Sequence, residues 1–242
     1  MARIAYDDRD AAAFAATREL ADDGVAEWRR AVTRHLAPRP GIRLLDLGSG
    51  TGAWARRFTD WFDAHVVAIE PSEAMRARSA YRPVLAGSDA AIPLPDADVD
   101  AAWISTVIHH VPDLRAAARE LRRVVRPGGP VLIRSAFAGR HQGISLFDYF
   151  PEAVRVLDSY PSLDAVAAAF VAEGFPSSTW EPVRQVTAPS LRQAALSLRR
   201  EAHTLLQLIT DAEYAAGLAR LHAAARTASG PVIDSLDLLV LR

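Results

Sequence analysis

The chain of 242 residues contains no cysteine, no lysine and no asparagine. The absence of cysteine excludes disulfide bonds, thiolate metal sites and a cysteine nucleophile. Because lysine is absent, all 28 basic side chains are arginines, and 29 acidic side chains balance them to a net charge of −1. A surface that wraps nucleic acid needs an excess of basic residues, so we expect no nucleic-acid partner.

Long apolar runs are also missing. No stretch approaches the roughly 18 consecutive apolar residues that a membrane-spanning helix needs, and the first eight residues, MARIAYDD, contain no apolar signal region. We therefore expect a cytoplasmic protein with no membrane partner. Hydrophobic residues make up 50% of the chain, which is enough to build a sizeable core in one α/β domain.

The most informative motif is Leu44–Gly52, which reads LLDLGSGTG. An apolar run that begins at Ile42 ends in glycines at alternate positions, and apolar residues with helical spacing follow at once. A strand, a glycine-rich turn and a helix form the opening unit of nucleotide-binding α/β domains. Glycine lets the backbone approach a ligand closely, and the N terminus of the helix favours an anionic group. The spacing G-x-G-x-G differs from the dinucleotide fingerprint G-x-G-x-x-G.

Further motifs follow in order. His65–Glu70 reads as a second buried strand ending in an acid, at the distance from the glycines where nucleotide-binding folds place a carboxylate on the ribose. Val84–Ala90 reads as a short third strand that ends in Ser-Asp-Ala, and Val99–Ser105 as a fourth. Arg126–Gly129 predicts a tight turn into a fifth strand that begins at Val131.

This ordered set resembles the motifs of the class I S-adenosylmethionine-dependent methyltransferases, over residues 40 to 137. The resemblance implies an α/β, Rossmann-like, doubly wound and mostly parallel seven-stranded sheet, with S-adenosyl-L-methionine as cofactor and S-adenosyl-L-homocysteine as product. In the family, the first acid and the turn hold the methionine end, the second acid holds the ribose, and the third bonds the adenine. An N-terminal segment folds over the cofactor in small-molecule members. The cofactor-binding residues that this resemblance implies are Tyr6, Arg18, Asp46, Gly48, Ser49, Gly50, Gly52, Glu70, Pro71, Met75, Ser88, Asp89, Ala90, Ser105 and Thr106.

We expect one domain over residues 1–242. It comprises a helical N-terminal lid at 1–37, a cofactor-binding core at 38–137, and insertions at 138–160 and 189–228. Both insertions leave from the carboxyl ends of strands, where ligands bind in open α/β sheets, so they should roof the substrate site. An alternative is that the inserted helices form the interface of a homodimer.

The second insertion has the apolar spacing of two helices, Leu191–Leu208 and Ala212–Ala225, followed by a last strand at Val232–Leu241. The region around the first insertion is rich in aromatic residues, which predicts a small, partly apolar acceptor in an enclosed pocket. The candidate substrate contacts are Phe137, Phe147, Tyr149 and Phe150.

Three histidines are candidate catalytic bases, because histidine titrates near neutral pH. His109 and His110 follow the fourth strand, near the expected position of the transferred methyl group, and His141 lies on the expected roof. The alternative is that the paired histidines only pack near the cofactor. Adjacent histidines do not converge on one ion, so we expect no metal site.

The missing residues narrow the acceptor class. Without cysteine, a cytosine C5-methyltransferase mechanism is excluded, and without lysine the Lys-Asp-Lys-Glu tetrad of RNA ribose methyltransferases is absent. The resemblance therefore favours O- or N-methylation of a small natural product or other secondary metabolite. Two alternatives stay open. One is a cofactor-binding relative that catalyses another reaction, such as a cyclisation, and the other is a methyltransferase acting on RNA or protein.

Overall fold

A computed structural model describes residues 7–17 and 20–242, so Tyr6 and Arg18 lie outside the described residues. Its centre is a seven-stranded sheet. The strands are β1 (Arg43–Leu47), β2 (His65–Ile69), β3 (Val84–Leu85), β4 (Ala101–Ser105), β5 (Val131–Ser135), β6 (Ser178–Ala188) and β7 (Val232–Leu241).

The spatial order of the strands is β3-β2-β1-β4-β5-β7-β6. The pairs among β1 to β5 are parallel, whereas β7 pairs antiparallel with both β5 and β6. This confirms the expected mostly parallel, doubly wound sheet, in which the chain starts at the centre, fills one edge and then crosses back to fill the other.

Helices cover both faces and the carboxyl edge of the sheet. The short 3₁₀ segments are Asp23–Val25, Ile108–His110, Pro151–Ala153 and Arg200–Ala202. The α-helices are α1 (Asp8–Thr17), α2 (Ala26–Leu36), α3 (Ala53–Phe62), α4 (Glu73–Ala77), α5 (Leu114–Val124), α6 (Leu146–Tyr149), α7 (Val154–Leu157), α8 (Leu163–Ala172), α9 (Leu191–Ser197), α10 (Thr204–Gln207) and α11 (Asp211–Ala224).

Each face of the sheet carries its own hydrophobic core, because alternate side chains of a strand point to opposite faces. On one face, Leu45 and Ile104 pack with Leu121 of α5 and Phe170 of α8. The other face carries an aromatic core that includes Trp28, Phe58 and Trp103. Strands that are buried on both faces read as continuous apolar runs, which is why β1, β4 and β5 were visible in the sequence.

A third core joins the two inserted segments to one another. Phe147 and Phe150 of the first insertion pack with Leu191, Leu206 and Leu221 of the second. The two insertions therefore form one shared layer. In the part of the chain that the structure describes, no helix has the length and apolar character required to cross a membrane.

The prediction of one continuous helix over Leu191–Leu208 is wrong. Helix α9 ends at Ser197, and the chain is extended at Arg199 before the 3₁₀ turn and α10. The side chain of Arg200 donates to the carbonyl oxygens of Leu206, at 2.9 Å, and Ile209. These bonds hold a compact turn that a straight helix could not form.

The predicted third strand is also shorter than expected. It pairs with β2 only at Val84 and Leu85. Beyond these residues the chain folds back on itself through an antiparallel bridge between Ser88 and Ala91, which removes Ser88–Ala90 from the strand.

Candidate active site

The glycine-rich turn lies at the carboxyl end of β1 and is fixed to the end of β2. The backbone N–H groups of Gly48 and Ser49 both donate to the carbonyl oxygen of Ile69, at 2.8 and 3.0 Å. The three glycines of the motif all have positive φ, between 54° and 78°. Because L-residues rarely adopt this conformation, the turn needs glycine.

The three glycines differ in the space that is available for a side chain. A Cβ atom on Gly48 would lie 2.5 Å from a methyl group of Val107, and one on Gly52 would lie 2.4 Å from Oγ of Ser79. At Gly50 the nearest atom would be 3.9 Å away, on an aromatic side chain of α1. Gly50 is therefore the position where the backbone is open to a ligand, and Gly52 serves the packing of the turn.

Asp46 is a buried carboxylate with an unused oxygen. It is 2% exposed, and among the described residues its Oδ2 atom has no hydrogen-bond partner. Burial and repulsion from Glu70 raise the pKa of Asp46 to about 7, against a hydrogen bond from the Ala55 N–H that lowers it. A cation placed beside this oxygen would be stabilised. The ammonium group at the methionine end of the expected cofactor fits this position.

The adenosine end of the expected site lies after β2 and β3. Glu70 is 6% exposed, and its two carboxylate oxygens accept the backbone N–H groups of Gly50 and Ser72, each at 2.9 Å. Asp89 is different, because its buried Oδ2 has no partner among the described residues and its pKa is raised by burial. A free acceptor oxygen fits an adenine amino group. Four further residues expected to bind the cofactor follow β2 and β3 along the chain, namely Pro71, Met75, Ser88 and Ala90.

A cavity of about 290 Å³ connects the glycine-rich turn to the layer formed by the insertions. Of the expected cofactor-binding residues, the cavity wall contains Asp46, Gly48, Ser49, Gly50, Ser105 and Thr106. The opposite wall is mostly apolar and comprises Ile144, Leu146, Tyr149, Phe150, Leu191, Leu198, Leu205 and Leu221. Phe14 and Thr17 of α1 close a further side.

Only some of the predicted aromatic and histidine residues reach this wall. Tyr149, Phe150 and His109 do. Phe137 does not, because it is fully buried in the core against α5 and α8, and this corrects its assignment as a substrate contact. The same correction applies to Phe147, which is 6% exposed and packs in the core behind the wall.

The remaining two histidines lie outside the wall as well. The ring of His110 lies 4.1 Å from that of His109, and the ring of His141 lies 6.0 Å from that of Phe147. His109 itself stacks on Tyr160, with ring centroids 4.2 Å apart and planes 3° from parallel. The structure therefore singles out His109 as the one of the three that faces the cavity.

The first insertion is tied to β7 by polar contacts. Arg140 forms a two-pronged ion pair with Asp237, at 2.6 and 2.9 Å. Asp234 accepts the backbone N–H of Ser145 at 2.8 Å. These contacts connect the first insertion, which contains two glycines and lacks regular periodicity, to β7.

Sequence reasoning missed several polar residues of the wall. Arg134 and Gln185, on β5 and β6, are 5% and 7% exposed and both line the cavity, as does His203. A signal for Arg134 was present, since it interrupts the apolar strand Val131–Ser135 with a charge. Within residues 7–17 and 20–242, no group of three or more histidine and acidic side chains is arranged to bind a metal ion.

Comparison with known proteins agrees with this arrangement. The family model described as methyltransferase domain matches residues 45–133. The 27-O-demethylrifamycin SV methyltransferase of Amycolatopsis mediterranei is 32% identical over 224 residues, covering 84% of this chain and 81% of that protein. The malonyl-[acyl-carrier protein] O-methyltransferase of Serratia marcescens is 37% identical over 128 residues, so that this match spans half of each chain.

A solved structure extends the likeness to the whole fold. A putative methyltransferase from an antibiotic biosynthesis pathway of Anabaena variabilis superposes with a TM-score of 0.73 at 20% identity, covering 92% of this chain and all of that one. Together with the strand order and the ordered motifs, these matches show that the chain belongs to the class I S-adenosylmethionine-dependent methyltransferases.

Proposed function

We propose that this protein transfers the methyl group of S-adenosylmethionine to an oxygen or nitrogen of a small, largely apolar molecule, such as a natural product. The observation that supports this most directly is the continuous cavity, which joins the glycine-rich turn to the apolar wall of the insertions. Its volume of about 290 Å³ is at the lower end of ligand pockets, so it suits a small molecule or one end of a larger one.

The chain's own groups divide the work of holding the cofactor. Asp46 would take the ammonium group, the backbone at Gly50 would pass close to the methionine end, and Asp89 would accept from the adenine amino group. Glu70, which already accepts hydrogen bonds from two backbone N–H groups, would also accept hydrogen bonds from the ribose hydroxyls. The bound cofactor supplies a methyl group on a positively charged sulfur, and the task of the protein is then to align the acceptor with it.

A hydroxyl acceptor must lose a proton during the transfer, and we propose His109 as the base that takes it. It lines the cavity, as Thr106 does, and its ring stacks on that of Tyr160. An amine that is already neutral needs no base to attack, so a measured requirement for His109 would favour an oxygen acceptor. The similarity to the 27-O-demethylrifamycin SV methyltransferase, over most of both chains, supports an oxygen acceptor.

Label transfer tests this function. Purified protein would be incubated with methyl-labelled S-adenosylmethionine and, in separate reactions, with a small-molecule fraction, with RNA and with protein from cells. We expect label in a small molecule. Label confined to RNA or protein would contradict the proposal, and so would tight cofactor binding with no transfer to any fraction.

The control for this experiment is Gly50→Val. The branched side chain would project into the open space at the turn and would strain a backbone whose φ is positive, so binding and transfer should both be lost. Transfer that persists in this variant would come from a contaminating enzyme.

A further inference from the structure

The side-chain amide of Gln185 is held in one orientation inside the cavity wall. Its Oε1 atom accepts the indole N–H of Trp28 at 2.9 Å and the Nη2 group of Arg134 at 2.6 Å. Neither partner can act as an acceptor, because an indole nitrogen and a guanidinium only donate. The oxygen must therefore face them, and the amide cannot be flipped without breaking both bonds.

The amide nitrogen of Gln185 is consequently turned away from these partners. Among the described residues, Nε2 has no hydrogen-bond partner, and it is not among the side-chain atoms sealed from solvent without one. Gln185 as a whole is 7% exposed, and the space that it borders is the cavity. We conclude that its N–H groups are directed at whatever occupies this end of the cavity.

Arg134 makes the arrangement rigid. Its Nη1 group donates to Oγ of Ser105 at 3.1 Å, and its guanidinium packs 5.0 and 5.3 Å from the ring centroids of Trp28 and Trp54. The three strands β4, β5 and β6 are thereby connected through side chains. Since the charged group bonds to the amide oxygen, it also polarises the amide and makes the N–H groups stronger donors.

We propose that Gln185 binds a carbonyl oxygen of the acceptor molecule, with Arg134 as its positioning residue. This inference rests on the proposed function in one respect, namely that the acceptor enters this cavity. The carboxylate of Asp234, opposite Gln185 on β7, also lines the cavity, but it accepts the backbone N–H of Ser145, and among the described residues no hydrogen bond joins it to Gln185. A ligand without an acceptor oxygen would leave the N–H groups of Gln185 unpaired, whereas a ketone, ester or carboxylate would satisfy them, so the site selects for oxygen.

The isosteric substitution Gln185→Glu separates the donor from the acceptor function. A glutamate retains an oxygen for Trp28 and Arg134, so the fold should be preserved, but it replaces the N–H donors with a second oxygen. The matched control is Gln193→Glu on the exposed face of α9, which makes the same chemical change away from the cavity.

The probes are α-tetralone and tetralin, which share a bicyclic skeleton and differ by one carbonyl group. Their affinities would be measured by saturation-transfer NMR, with and without saturating S-adenosylhomocysteine. We expect the wild type and Gln193→Glu to prefer the ketone roughly fivefold, the size of one net hydrogen bond. Gln185→Glu should abolish this preference while its affinity for S-adenosylhomocysteine remains that of the wild type.

Three results would overturn the proposal: a ketone that binds no better than the hydrocarbon, a preference that survives in Gln185→Glu, or a Gln185→Glu variant whose main defect is in cofactor affinity. The last result would assign the donor to the carboxylate of the cofactor. A failure of the proposed function is distinguishable, because it would appear as absent cofactor binding or absent label transfer, while probe binding without cofactor could still be read.

Discussion

Helix α11 crosses Phe150 so closely that a Cβ atom on Gly217 would lie 2.1 Å from Cδ1 of the ring. Phe150 is 1% exposed and lines the cavity, and its ring centroid lies 5.8 Å from that of Tyr214 on the same helix α11. The missing side chain at Gly217 therefore determines where the aromatic wall of the cavity stands.

Replacing Gly217 by alanine should move this wall. An alanine in the middle of a helix normally stabilises by about 0.5–1 kcal/mol relative to glycine. Here the clash with Phe150 should reverse the sign and lower the free energy of unfolding by about 1–3 kcal/mol. Urea denaturation would measure the change, with Ala216→Ser on the exposed side of α11 as control. A Gly217→Ala protein that is more stable than the wild type would show that Phe150 moves freely.

Asp46→Asn should stabilise the protein without ligand at alkaline pH. The pKa of Asp46 is raised to about 7 in the folded protein from an ordinary 3.8, so its contribution to stability falls as pH rises through this window and stays low above it. The amide removes the buried charge and relieves its repulsion with Glu70. We expect the free energy of unfolding at pH 8 to rise by about 1–2 kcal/mol, with little change at pH 4.

The same substitution, Asp46→Asn, should weaken the binding of the cofactor. Binding of an ammonium group requires the ionised carboxylate, so the wild-type affinity for S-adenosylhomocysteine should decline as pH falls below about 7. Calorimetry at several pH values would show this decline in the wild type and its absence in Asp46→Asn. An Asp46→Asn variant that loses stability at pH 8, or binds as well as the wild type, would contradict the assignment.

Glu70→Gln should reveal whether this side chain binds the ribose or only fixes the turns. In the structure, its oxygens accept two backbone N–H groups, and the glutamine would place a donor against one of them. If Glu70 also accepts the ribose hydroxyls, the affinity for S-adenosylhomocysteine should fall about tenfold. Glu73→Gln, on the exposed face of α4, is the matched control.

An analogue of S-adenosylhomocysteine that lacks the ribose hydroxyls separates the two roles. The wild type should bind S-adenosylhomocysteine more tightly than this analogue, and Glu70→Gln should lose most of that preference. If both proteins discriminate equally, then Glu70 acts on the cofactor only by holding the turns.

The core of the fold was predictable because its signals are local. Strands such as β1 and β5 are apolar runs that are buried on both faces, and the turn after β1 needs glycine for its positive φ. The break after α9 was not predictable, because no proline or glycine marks it. It depends on Arg200, whose side chain reaches carbonyl groups six and nine residues further along the chain.

The candidate site divides in the same way. Asp46 and Gly50 belong to a contiguous motif, so the sequence alone placed them together. Phe137 and Phe150 come from one aromatic segment, yet one enters the main core and the other faces the cavity, a difference set by the path of the insertion. Gln185 is 51 residues from Arg134, and only the pairing of distant strands brings them together.

His109→Gln should reduce kcat by at least about 100-fold if this histidine removes the proton from a hydroxyl acceptor. The measurement uses the acceptor identified by label transfer, and KM for S-adenosylmethionine should change little, because the residues proposed to hold the cofactor are others. His141→Gln is the control, since His141 lies outside the cavity wall beside Phe147. Partial rescue of His109→Gln by added imidazole would support proton transfer. If both substitutions instead change kcat equally and only slightly, His109 serves only to pack on Tyr160.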